Sequence, residues 1–402
     1  MTALVLYDDA QARSFEPFAL TRPLGEMRAG SALIRHRWER ALDTTTESAI
    51  AAPHLADFDE LDAPPVLHGE HVLPAGTIVA NSRCVVSLGQ CAGDAAVWTC
   101  DGRVAAVRLG GDVALERLAD GSAVLDAMAG DGYTATIRGR WLDAVWDFIA
   151  QLIPQLQEDI EVIGPRLDCV APAHAAVSGT SRLYVERGAV VEPLAYFDVS
   201  AGAVLVRRGA TVRAFTRLAG PCIIASGATV QGERISGCAI GERSIVHGEM
   251  SETIVLGHAN KAHDGFVGHS YLGRWVNLGA GTITSNLKNT YGVVALWTPQ
   301  GVRSTGLSKL GTLFGDHVKT GIGLRLTTGS VIGSGSNVYG SVMPPKYVPP
   351  FSWGEGTALS DYEIGRFLTV AERVMARRGI TLSDRARRCL SAAHAHSRSA
   401  IA

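Results

Sequence analysis

The stretch Val206-Arg-Arg-Gly-Ala-Thr-Val212-Arg-Ala-Phe-Thr-Arg-Leu218-Ala-Gly-Pro-Cys-Ile-Ile224-Ala-Ser-Gly-Ala-Thr-Val230 puts an aliphatic residue at every sixth position. A beat of six matches neither the helical turn nor the two-residue alternation of a simple strand. It returns at Phe314, Thr320, Leu326, Ile332 and Val338, and Leu272 and Leu278 keep it in between. Glycines and small polar residues occupy the other steps, as in Ile332-Gly-Ser-Gly-Ser-Asn337. The pattern predicts a parallel β-helix of hexapeptide repeats, in which each side of a coil points one apolar residue inward. A coil buries that residue only by stacking on its neighbours.

Working outward, the beat covers about 165–345, with an excursion at 286–312 where an inserted loop leaves the coil. Residues 1–160 read instead as mixed α/β: an apolar first strand over 3–7, helical spacing over 31–42, and a helix over 141–156 leading out. Pro344-Pro345 and Pro349-Pro350 end the coil. Ser360-Asp-Tyr-Glu363 has the form of a capping box, opening helices over 355–395. The arginines of that segment, Arg373, Arg377, Arg378, Arg385, Arg387 and Arg388, read as a solvated helix face rather than a phosphate site.

Composition narrows the class. The 402 residues suit two or three domains, and 47% hydrophobic residues suffice for their cores. A net charge of −2 gives no reason to expect nucleic acid or an anionic membrane as partner. The N-terminus has no signal-peptide pattern and no stretch is apolar enough to span a bilayer. The seven cysteines are scattered without a CxxC pair. They predict reduced thiols in a cytoplasmic protein and no zinc site.

The densest chemistry lies in Lys261-Ala-His-Asp-Gly-Phe266 and in Val276-Asn-Leu-Gly-Ala-Gly-Thr-Ile-Thr-Ser-Asn286. The second stretch closely resembles the acetyltransferase half of the bacterial bifunctional N-acetylglucosamine-1-phosphate uridyltransferase/glucosamine-1-phosphate acetyltransferase family. The order of an α/β half before a hexapeptide coil is also that family's. Phe18-Ala-Leu-Thr-Arg-Pro23, Asn260-Lys-Ala-His-Asp-Gly-Phe266, Ser285-Asn-Leu-Lys-Asn289 and Phe351-Ser-Trp-Gly354 resemble a divergent branch of sugar nucleotidyltransferases more closely still. The resemblance implies a nucleotidyltransferase-like (Rossmann-like) first domain and a left-handed β-helix. It also implies a homotrimer with the acetyl site between subunits, making UDP-N-acetylglucosamine or a related nucleotide sugar for the cell envelope.

Position by position, it places the general base at His263 when matched from Asn277, or at Asp264 when matched from Leu256-Gly257. A neutral imidazole is the group suited to take a proton from an attacking amine. Asp264 would then orient it. Asn277 and Asn286 fall on the family's substrate and acetyl-CoA contacts. Backbone N–H groups at Gly279, Ala280 and Gly281 would hold the oxyanion. Lys261, Lys288, Lys309 or Arg325 would bind phosphate. The family's tyrosine is Phe266 here. His247, His258 and His317 read as structural.

In the first domain the related families carry a glycine-rich phosphate loop, and this chain has Leu6-Tyr-Asp-Asp-Ala-Gln-Ala-Arg13 instead. Thr21-Arg-Pro-Leu-Gly-Glu-Met-Arg-Ala-Gly30 falls where the family has its Pro-Lys segment, which implies Arg22 and Arg28 as nucleotide-phosphate ligands. Leu67-His-Gly-Glu70 resembles the family's magnesium motif and implies Glu70 as a Mg2+ ligand. Arg22 and Arg28 read equally well as ion-pair partners of Asp8, Asp9 or Glu26. The expected substrates are a sugar phosphate, a nucleoside triphosphate and acetyl-CoA. Two other outcomes stay open: nucleotidyl transfer alone on a structural β-helix, or a non-catalytic protein that binds a nucleotide sugar.

Overall fold

A computed structural model describes residues 3–399, which form two compact units, 3–145 with 382–399, and Trp146–Thr381. These differ from the expected 1–160, 165–345 and 355–395. The helices Asp147–Ala150 and Leu152–Ile163 belong with the solenoid, and the two C-terminal helices part company. Asp384–Ser399 closes the first unit, because Arg388 pairs with Asp57 at 2.9 Å and Cys389 packs among Ala49, Leu55 and Phe58.

In the first unit, Leu4–Tyr7 is a buried inner strand of a six-stranded mixed sheet, next to the edge strand Thr46–Ile50. It pairs in parallel with Thr46–Ile50 on one side and with Ile78–Asn81 on the other. The antiparallel strands Val97–Cys100 and Arg103–Arg108 extend the sheet beyond Ile78–Asn81. An inner strand covered on both faces must be apolar throughout, as Leu-Val-Leu-Tyr is. The chain reverses direction of travel at this strand, and such switch points leave a crevice beyond the strands' carboxyl ends.

The second unit is a parallel β-solenoid with three faces. The first includes Ala176–Ser178, Tyr196–Asp198 and Thr216–Ala219; the second runs through nine strands from Leu183–Val185 to Tyr347–Val348; the third includes Val190–Val191, Thr229–Val230 and Asn260–Lys261. The hexad behaves as expected. Val206, Val212, Leu218, Ile224 and Val230 are all fully buried and fall on successive faces. Each such side chain contributes roughly 1.5–3 kcal/mol of burial.

Val206 stacks on Ile224 eighteen residues later, but Val230 stacks on Val246 and Val246 on Lys261, sixteen and fifteen residues later. Shortened corners between 230 and 261 therefore hide the six-residue beat from the sequence while the stack continues. The expected capping box is different: Ser360 lies in the strand Ala358–Asp361, and Glu363 itself caps the helix Ile364–Ala376 by accepting from the N–H groups of Gly365 and Arg366.

Candidate functional site

His263 stands at the corner where the third face turns into the first. It is exposed and its imidazole has no protein partner among the described residues. It opens onto a cleft of about 830 Å³ that also takes in His247, Asp264, Ala280 and Gly281. Two expectations are corrected here. Asp264 does not orient His263; its Oδ1 lies 2.8 Å from Nε2 of His247, whose Nδ1 faces the carbonyl of Gln231 at 3.0 Å. The oxyanion donors are also fewer, since the N–H of Gly279 is given to Thr320 and that of Gly281 to the carbonyl of Asp264. Ala280 is the remaining N–H of the three.

Lys261 does not reach solvent. It occupies the inward column between Val246 and Leu278 and is 2% exposed. Its Nζ donates to the carbonyls of His247 at 2.7 Å and His263 at 2.6 Å. Burial pushes its ammonium down to about 8, although Asp264 and Glu233 oppose the shift. It is therefore a clamp on the corner that carries both histidines, not a phosphate ligand. Gly248 makes room for it: at φ +84°, an added Cβ would lie 2.7 Å from that Nζ.

The other residues implied by the resemblance lie elsewhere on the solenoid. Asn277 is on the outward third face, where its Oδ1 accepts from Asn260 at 2.9 Å. Asn286 is at the corner between the first and second faces and bonds Nδ1 of His269 at 2.9 Å. His269 in turn meets Glu252 at 3.4 Å. Lys288 gives its ammonium to the carbonyl of Val293 within its own loop. Within one chain, then, His263, Asp264, Ala280 and Gly281 share a cleft, and Asn277, Asn286 and Lys288 do not line it.

In the first unit, Arg22 and Arg28 are each 2% exposed. Arg22 pairs with Glu60 at 2.9 Å, and Arg28 donates to the carbonyl of Ser31 at 2.5 Å. Neither stands free to receive a nucleotide phosphate. Glu70 does line a cavity of about 560 Å³ near the carboxyl end of Thr46–Ile50, with His68, His71 and Glu116. That lining includes no lysine or arginine.

The acids after this inner strand are already engaged. Burial pushes Asp8 up to about 6 while its Oδ2 accepts from the N–H of Leu24. Burial also works to raise Asp9, but Arg83 at 2.7 Å and Asn81 at 2.8 Å outweigh it and hold the carboxyl below its usual range. Among the described residues the one group of three metal-competent side chains is Glu233, His247 and Asp264, with donor atoms within 4.8 Å of one another. Both ring nitrogens of His247 face oxygens, Nδ1 the carbonyl of Gln231 and Nε2 the carboxylate of Asp264. Among the described residues no such group of three forms at Glu70, which shares its cavity with the single further carboxylate of Glu116.

His247 was legible only with hindsight. It precedes His263 by one shortened coil, so coil length, not local motif, brings the two to one corner.

Residues 4–166 match the sugar nucleotidyl transferase family. The match covers the α/β unit and the first helices of the next. A bifunctional sugar-1-phosphate nucleotidylyltransferase/acetyltransferase of Sulfurisphaera tokodaii is 33% identical over 91 residues, 23% of this chain and 23% of that protein. The bifunctional protein GlmU of Methanococcus vannielii is 35% identical over 88 residues, 22% of this chain and 21% of that protein. GlmU of Bartonella quintana is 28% identical over 177 residues, 43% of this chain and 35% of that protein. The chain thus spans about a fifth to a third of the length of these curated relatives. A point mutant of AntD, an N-acyltransferase from Bacillus cereus solved with dTDP-4-amino-4,6-dideoxyglucose and coenzyme A, is similar at 13% identity. That likeness covers 46% of this chain and 81% of that one with a TM-score of 0.19, too low to carry an argument. No described helix is long and apolar enough to cross a membrane.

Proposed function

We propose that the chain is a transferase of nucleotide-sugar synthesis, acting as a homotrimer. Its solenoid moves an acetyl group from acetyl-CoA to the amine of an amino-sugar phosphate. Its α/β unit handles the sugar-1-phosphate and nucleotide, giving UDP-N-acetylglucosamine or a related nucleotide sugar. The observation that carries this is the partner-free imidazole of His263 in an open cleft, on a solenoid that follows a sugar nucleotidyl transferase segment.

In the acetyl step the amine nitrogen attacks the thioester carbonyl carbon while His263 takes the proton the amine must lose. The oxyanion falls to the N–H of Ala280. As the C–S bond breaks, the imidazolium returns its proton to the departing thiolate. Lys261 positions the His263 backbone through its carbonyl.

The test is release of free coenzyme A from acetyl-CoA in the presence of glucosamine-1-phosphate. His263→Ala should lower kcat by about 10²–10⁴-fold. Unchanged turnover would move the base elsewhere, and an inactive wild type would remove the acetyl reading.

The cavity of the first unit, whose lining holds no lysine or arginine, favours a second reading for that half, a domain without nucleotidyl transfer. Isotope exchange between pyrophosphate and a nucleotide sugar separates the two, because only a working nucleotidyltransferase catalyses it.

A further inference from the structure

The helix Ile364–Ala376 lies over the third face of the solenoid and encloses a cavity of about 490 Å³. Its polar lining is His258, Asn260, Asn277, Lys319, Arg377 and Arg378, and it contains no carboxylate. Lys319 donates to the carbonyls of Trp275 at 2.7 Å and His317 at 3.0 Å. Burial alone pushes its ammonium down to about 7, with no acid opposing the shift. Arg378 is lowered by burial and then by Arg377 beside it, again without a neighbouring acid. The guanidinium of Arg377 has no partner among the described residues.

The neutral groups point the same way. Arg274 lies 3.3 Å from Nδ1 of His258. The Asn277 amide accepts from Asn260 and keeps its NH2 to donate. Three basic side chains and the Asn277 amide around one concavity, with no acid in the wall, form a site short of negative charge. Guanidinium pairs meet phosphate oxygens in a forked geometry that a carboxylate-free wall leaves open.

We propose that this cavity binds the phosphate or diphosphate group of a small phosphorylated molecule, held by Lys319, Arg377 and Arg378. Arg377 and Arg378 are thereby ligands and not simply a solvated helix face. Within one chain the cavity is separate from the cleft of His263, although Asn277, which the resemblance assigns to the acetyl site, lies in its wall.

Titration calorimetry of the full chain with inorganic pyrophosphate tests it. Wild type should bind, and more weakly as sodium chloride is raised from 50 to 500 mM. Arg377→Glu, an exposed position that should fold normally, and Lys319→Met should each weaken this binding about ten-fold or more. Arg373→Gln, on the same helix but outside the cavity, should match wild type. Arg377→Glu and Lys319→Met isotherms indistinguishable from wild type would overturn the proposal, as would a wild type that binds no pyrophosphate at millimolar concentration.

Discussion

Lys261 takes a place in the inward column that valine and leucine fill above and below it. A charge there is tolerated because two carbonyls receive it, at the cost of an ammonium that releases its proton near pH 8 instead of near 10.5. The unfolded chain therefore binds more protons than the folded one between those values, so stability attributable to this residue rises with pH across that window. Measured as thermal midpoints, wild type should gain on Lys261→Met as pH goes from 8 toward 10.5. A gap that stays constant over the range would show that the ammonium is solvated. Nothing in the local sequence distinguishes this lysine from a surface one. The motif around it resembles a binding loop, and only the stacking register reveals that its side chain turns inward. His263, by contrast, stands on an exposed corner, where the side chain needs no inward place in the stack.

For the elements, legibility followed regularity. The hexads of 206–230 and 314–338 name the inward residues correctly, since an eighteen-residue coil repeats without slippage. Where coils shorten, the same physical stack leaves no period to read. The helix Ile364–Ala376 was expected, but its cap was misplaced: Ser360 and Glu363 have capping-box spacing, yet the strand Ala358–Asp361 claims the serine. Glu363 then serves two N–H groups at 2.7 and 2.8 Å. Its replacement by alanine should cost about 1 kcal/mol. The check is chemical denaturation of the variant, where a midpoint equal to wild type would mean that water satisfies those donors equally well.

Across the whole molecule, the residues the resemblance assigns to one acetyl site occupy separate corners and faces of a single solenoid. A trimer that joins the corner of one copy to that of another would reunite them. Sedimentation analysis at micromolar concentration should accordingly give three times the 42.4 kDa chain mass, and a monomer would end that expectation.

The first unit also depends on residues far along the chain. Ser383 bonds Asp59, Arg388 pairs with Asp57, and the ring of His396 stacks on His54 at 4.2 Å. Removing residues 382–402 should expose 3–145 to limited proteolysis while 146–381 resists. Equal resistance of both would show that the returning helix is dispensable.

That returning helix has a consequence for how the molecule is made. A ribosome delivers 3–145 first, yet the surface around Leu55 and Phe58 stays without its cover until Cys389 emerges, after the entire solenoid has been synthesised. The earliest unit to leave the tunnel is thus the last to be completed. During that interval its apolar surface lacks the cover of Cys389, whereas each solenoid coil can dock on its predecessor as soon as it appears.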